Sequence, residues 1–229
     1  MKYKTIGDSD NPIVNIHLDK NEQVKIERGS MVYLQDVKIQ GQTNSKSKGI
    51  GGFLSATGRS LVSGESVFIT YATGKRDESL IGIAPSIPGK ITCLKIGGNK
   101  QYRLNTGAFL ACDASVNYVM KSQNIGKAVF AGTGGLFVME TEGEGDMLIN
   151  AFGDLMELEV TPDSPITIDN THVVAWDAAL DYKLRIASGT IGFTTGEGIV
   201  NEFHGSGKIL IQTRNIRDLA QSLNQYLIS

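Results

Sequence analysis

Residues 132–150 read GTGGLFVMETEGEGDMLIN, and residues 194–212 read TTGEGIVNEFHGSGKILIQ. At a constant offset of 62, Gly134 falls on Gly196, Gly143 on Gly205 and Gly145 on Gly207. Met147-Leu148-Ile149 then falls on Ile209-Leu210-Ile211. A repeat at fixed spacing implies one structural unit used more than once. Each copy reads as strand, Gly-x-Gly turn, strand, with glycine supplying the positive φ of a tight hairpin. A looser copy opens at Gly64-Glu65-Ser66-Val67-Phe68-Ile69 and closes at Pro88-Gly89-Lys90-Ile91-Thr92-Cys93-Leu94. There the glycines stand 25 apart rather than 11, as if the hairpin had been lengthened. Three related hairpins, at about 64–94, 132–150 and 194–212, predict similar β layers about a pseudo-threefold core in one domain over 1–229.

The same stretch tempts a different reading, because HGSGK at 204–208 looks like part of a phosphate loop. The Walker pattern needs glycine where Glu202 stands and Ser or Thr where Ile209 stands. It also needs a helix next, and an apolar strand pattern follows instead. The stretch is therefore read as a turn. The glycine-rich runs at 49–52 and 132–135 likewise open no helix of a βαβ unit.

Elsewhere the pattern is that of strands. Tyr182, Leu184 and Ile186 alternate with Lys183 and Arg185, and Met156, Leu158 and Val160 with Glu157 and Glu159. Glycine supplies 27 of 229 residues, well above the usual ~7%. One segment has helical period: Ile216, Leu219, Ala220, Leu223 and Leu227 share a face, with Asn215 placed as N-cap and Asp218 in the first turn. This predicts a helix over about 216–227 that packs on its own sheet or on a partner subunit.

Charge nearly cancels, 22 basic against 24 acidic residues, so nucleic acid is not expected as a partner. Cys93 and Cys112 each sit in an apolar run and read as free thiols in a reducing compartment. The start shows no apolar signal region and no run approaches 18 apolar residues, so a cytoplasmic location is expected.

Several longer segments resemble one known family. They are GSMVYLQDV at 29–37, GRSLVSGESVFI at 58–69, GAFLACDASV at 107–116, FAGTGGLFVMETEGEGDMLINAFG at 130–153, IDNTHVVAWDAALDY at 168–182 and GEGIVNEFHGSGKILIQTRN at 196–215. In this order they resemble the altered inheritance of mitochondria protein 24 family. The resemblance implies an antiparallel β-sandwich or barrel of the double-stranded β-helix type, similar to the tryptophan RNA-binding attenuation protein. It brings no catalytic residues.

Candidate chemistry is sparse. His17, His172 and His204 lack the spacings of a metal site, although His172 and His204 could meet Asp177 or Glu202 in a cupin-like fold. No Ser nucleophile elbow is present; Gly64-Glu65-Ser66-Val67-Phe68 fails at its fifth place. Glu140, Glu142, Glu144 and Asp146 form a like-charge run that reads as a solvated tip. Residues 43–64 carry Lys46, Lys48 and Arg59 without an acid, together with Phe53, Leu54 and Leu61. That segment reads as a loop tucked into the core, an oligomer contact or a membrane-surface patch. The expectation is a homo-oligomeric, non-enzymatic scaffold without cofactor or metal, contacting a protein partner or membrane surface. A small-ligand or metal-binding cupin-like protein and an RNA binder by fold analogy are the alternatives.

Overall fold

The computed structural model describes residues 1–7, 10–43, 68–123, 136–187 and 198–227. Nineteen strands and one helix lie within them. After β1 (Lys2–Ile6), the strands fall into three consecutive units of six. Unit one holds β2 (Ile13–Leu18), β3 (Gln23–Ile26), β4 (Met31–Gln35), β5 (Val37–Thr43), β6 (Phe68–Gly74) and β7 (Ser79–Ile83). Unit two holds β8 (Ile91–Ile96), β9 (Tyr102–Asn105), β10 (Phe109–Asp113), β11 (Asn117–Gln123), β12 (Leu136–Glu142) and β13 (Gly145–Asn150). Unit three holds β14 (Leu155–Val160), β15 (Ile166–Asp169), β16 (Val173–Asp177), β17 (Asp181–Ile186), β18 (Ile199–His204) and β19 (Gly207–Gln212), and α1 (Ile216–Leu227) follows.

In every unit the first, sixth and third strands pair, and so do the fourth, fifth and second. The second strand of one unit then pairs with the third strand of the next: β3 with β10, β9 with β16. Four antiparallel sheets result, ordered β1-β2-β7-β4, β5-β6-β3-β10-β13-β8, β11-β12-β9-β16-β19-β14 and β15-β18-β17. Among the described residues none closes into a barrel, and the fold is all-β and antiparallel with one short helix, as the sequence predicts.

The repeat is real, but its turns do not make hairpins. β12 pairs with β11 and β9, whereas β13 pairs with β10 and β8. β18 and β19 part company in the same way. Gly143 (φ +90°) and Gly205 (φ +105°) therefore turn the chain through a corner from one sheet to the facing sheet. The second glycine of each pair is needed for room. A Cβ on Gly145 would lie 2.8 Å from Asp113 Oδ2, and one on Gly207 would lie 3.0 Å from Asp177 Oδ2. Those carboxylates accept the N–H of Asp146 (2.7 Å) and of Lys208 (2.8 Å). The anion held by the supposed phosphate loop is thus the chain's own Asp177. Gly134 and Gly196 lie outside the described residues.

The first copy is also displaced. Residues 64–94 are not one hairpin: the corner of unit one runs from β6 to β7 through residues 75–78, and β8 already opens unit two. In this corner Glu78, not glycine, takes positive φ (57°), which hides it from a glycine-based reading.

Each unit encloses a core between its two half-sheets. In unit two, Leu94, Ile96, Phe109, Cys112, Met147 and Ile149 face Leu104, Tyr118 and Met139. In unit three, Val160, Val173, Trp176 and Ile209 face Ile168 and Phe203. In unit one, Val14, Ile16, Leu18, Ile81 and Ile83 face Val24, Ile26, Val37 and Ala72, with Leu110, Ala111 and Leu148 of unit two completing the cluster. β4 contributes nothing to it. The cysteines are free, Cys112 buried and Cys93 half-buried. Burial pushes the Cys112 thiol up to about 12, which leaves it inert at neutral pH.

Candidate interaction surface

Two elements expose apolar side chains. The first is β4. Met31 (43% exposed), Val32 (51%), Tyr33 (39%) and Leu34 (41%) stand in water. Their register against β7 matches that of β10 against β13 and β16 against β19, including the same bulge. Met31 thus corresponds to Phe109 and Val173, and Val32 to Leu110 and Val174, all of which are buried. Tyr33 stands where the other units have Ala111 and Ala175, and its ring lies over Gly82, where they have leucine. Its hydroxyl donates to Asn15 Oδ1.

The second element is α1. Asn215 Oδ1 accepts the N–H of Asp218 (2.8 Å), and its Nδ2 donates to Asp218 Oδ2 (2.8 Å), a reciprocal cap of the kind expected at this position. The cap is anchored by His172. Its Nδ1 donates to the Gln212 carbonyl (2.7 Å), so the ring is the Nδ1–H tautomer, and Nε2 accepts from Asn215 Nδ2 (3.1 Å). Beyond the cap, the helix does not pack on its own sheet. Ile216, Leu219, Leu223, Tyr226 and Leu227 are all exposed. An amphipathic helix of twelve residues is marginal without a covered face.

The polar groups that could have formed a catalytic or metal site are committed elsewhere. His172 serves the helix cap, Asp177 the corner at Lys208, and Glu202 pairs with Arg185 and with His204 (3.3 Å). Among the described residues no cluster of three or more His, Cys, Asp or Glu side chains is placed to hold a metal ion. A cleft of about 320 Å³ opens between units two and three, lined by Asn105, Phe137, Phe152, Asn170, Asn215 and Arg217. Asn105 Nδ2 is spent on the carbonyls of Asn170 (3.1 Å) and Val173 (2.6 Å).

The acidic run at 140–146 is not a solvated tip throughout. Glu140 accepts from Arg103 Nε (2.7 Å) and Lys121 (2.6 Å), and Asp146 pairs with Lys95 (2.7 Å). Burial alone would raise the Glu140 carboxyl, but hydrogen bonds and charge from Lys121 and Arg103 outweigh it and hold the group below the usual range. Lys46, Lys48, Phe53, Leu54 and Arg59 lie outside the described residues. Among those described, no helix is long and apolar enough to cross a membrane. The exposed edge and helix were within reach of sequence reasoning: MVYLQ carries no charge, and α1 has a clean apolar face.

Together these features define the class by its fold: a three-unit antiparallel β assembly whose strand β4 and helix α1 carry exposed apolar side chains. The particular family follows from comparison. The sequence profile of the mitochondrial biogenesis AIM24 family matches residues 3–214, and this chain belongs to that family. An uncharacterised protein of Streptococcus pyogenes serotype M6 is 47% identical over 218 residues, spanning 94% of this chain and 87% of the relative. A crystal structure of a Streptococcus pyogenes protein superposes with a TM-score of 0.80 at 43% identity, covering 98% of this chain and 99% of the other.

Proposed function

We propose that this protein is a non-enzymatic scaffold that works through protein contacts on its β surface and terminal helix. One observation carries the reading: the apolar face of α1 stands exposed on a rigidly capped base. Contiguous exposed apolar surface on a soluble fold marks an interaction site, and a helix presenting Leu219, Leu223 and Leu227 is suited to a groove on a protein. A protein fits better than an anionic membrane, because the helix carries one Arg and one Asp and no basic stripe. Cross-linking in the native cell, followed by mass spectrometry, tests this. Leu219→Glu with Leu223→Glu should lose captured partners that the unmodified chain retains. Identical captured sets would overturn the reading.

A further inference from the structure

The units are joined by one device used twice. β3 pairs with β10 so that Ile26 lies opposite Ala111 and Lys25 opposite Cys112. β9 pairs with β16 so that Leu104 lies opposite Ala175 and Arg103 opposite Trp176. Each junction continues a three-stranded half-sheet into a six-stranded sheet. The device leaves one strand of each kind unused. Among the described residues β4, the third strand of unit one, pairs only with β7, and β15, the second strand of unit three, pairs only with β18.

The unused edges are of the two kinds that the internal junctions pair. Seven of the eight strands at sheet edges carry a charged residue, such as Lys2 and Lys4 in β1, Lys121 in β11 or Asp169 in β15. β4, Met-Val-Tyr-Leu-Gln, is the exception. Charges on edge strands guard against pairing with another chain, so an edge without them is open to it. β15 offers Ile166-Thr167-Ile168, with Ile168 in the place of Ile26 and Leu104. The exposed helix stands at the β15 end: Gln212 Nε2 donates to the Thr171 carbonyl (2.8 Å), and His172 anchors the cap.

We infer that a second copy of this chain is a partner, its β15 edge adding antiparallel to β4 in the register the two internal junctions use. This inference rests on the surface-contact reading above and names the partner. Tyr33 then lies opposite Ile168 of the second copy, Leu34 opposite its Thr167 and Gln35 opposite its Ile166. The contact is head to tail, so copies close into a ring or extend as an open chain. It is also weaker than the internal junctions. Lys25 donates to the Val116 carbonyl (2.6 Å) and Arg103 to the equivalent Leu180 carbonyl (3.0 Å), each tying one unit to the next. At the free edge Thr167 stands in that place, without a cation.

Light scattering and sedimentation velocity on the purified full chain, over a wide concentration range, test the pairing. The expected masses are multiples of 24.6 kDa. Leu34→Glu, at an exposed position that the fold tolerates, should weaken assembly by more than about tenfold by burying a carboxylate. Adding Thr167→Arg should restore it by placing opposite charges across the pair, and Thr167→Arg alone should tighten it. Circular dichroism confirms that each variant is folded. A chain of single mass at every concentration overturns the inference, as does an assembly indifferent to Leu34→Glu. Either result leaves the native-cell capture of other proteins to stand or fall separately, so the two readings fail independently.

Discussion

β10 and β16 occupy the same place in their units as β4, with the same bulge and the same sheet neighbour, yet their fates differ. Leu110 and Val174 are sealed from water, whereas Val32 is half exposed. All three are aliphatic, so the residue does not set the burial. It follows the neighbouring strand: among the described residues β10 has β3 beside it and β16 has β9, while β4 has no strand on that side. A repeat array without a polar cap leaves its terminal faces apolar, and such faces need covering for solubility. Here no terminal strand is made polar at β4, and this asymmetry is the most informative feature of the molecule.

The comparison can be broken most directly at its apolar positions. Leu110→Ala should cost about 2–5 kcal/mol in chemical denaturation, through lost burial and the cavity left behind. Val32→Ala, measured where the chain is dissociated, should fall within ~0.5 kcal/mol. A comparable loss at both would mean that β4 is covered in the isolated chain.

A smaller effect is expected at the ties between units. Arg103→Ala removes the donor to the Leu180 carbonyl and one of the two cations on Glu140, which keeps Lys121, at a largely buried junction. It should cost about 2–3 kcal/mol, read by the same denaturation. Thr167→Ala, at the equivalent but unpaired place, should cost no more than ~0.5 kcal/mol. Equal costs would show that the tie holds nothing across the junction.

The smallest difference lies in acid sensitivity. Because the folded Glu140 carboxyl titrates below its unfolded value, it contributes stability above the ordinary carboxylate range and loses it as pH falls through the folded value. Glu140→Gln should flatten that part of the stability profile in thermal melts from neutral to acid pH. An unchanged slope would place the acid sensitivity elsewhere.

The legible parts of this fold were local. Strand alternation at 182–186 appears as half-buried and exposed residues in turn, and Met147-Leu148-Ile149 is buried on both faces. Asn215 caps the helix over the predicted span. The corners were located but misread, since a Gly-x-Gly turn looks alike whether it joins paired strands or carries the chain to the facing sheet. The distinction lies in which distant strand each arm pairs with. For the same reason Asp177 could not be foreseen as the acceptor for Lys208, thirty-one residues away. Unit one escaped the glycine search because Glu78 adopts the conformation that glycine supplies elsewhere.

Periodicity and repeat spacing, which depend only on neighbours in the chain, determined the all-β class, the helix and the existence of repeated units. The tertiary structure alone decided how the units join, because pairing between β3 and β10 or β9 and β16 spans more than a whole unit. It also decided that β4 and α1 end uncovered, since burial belongs to the partner a strand finds and not to the residues it carries.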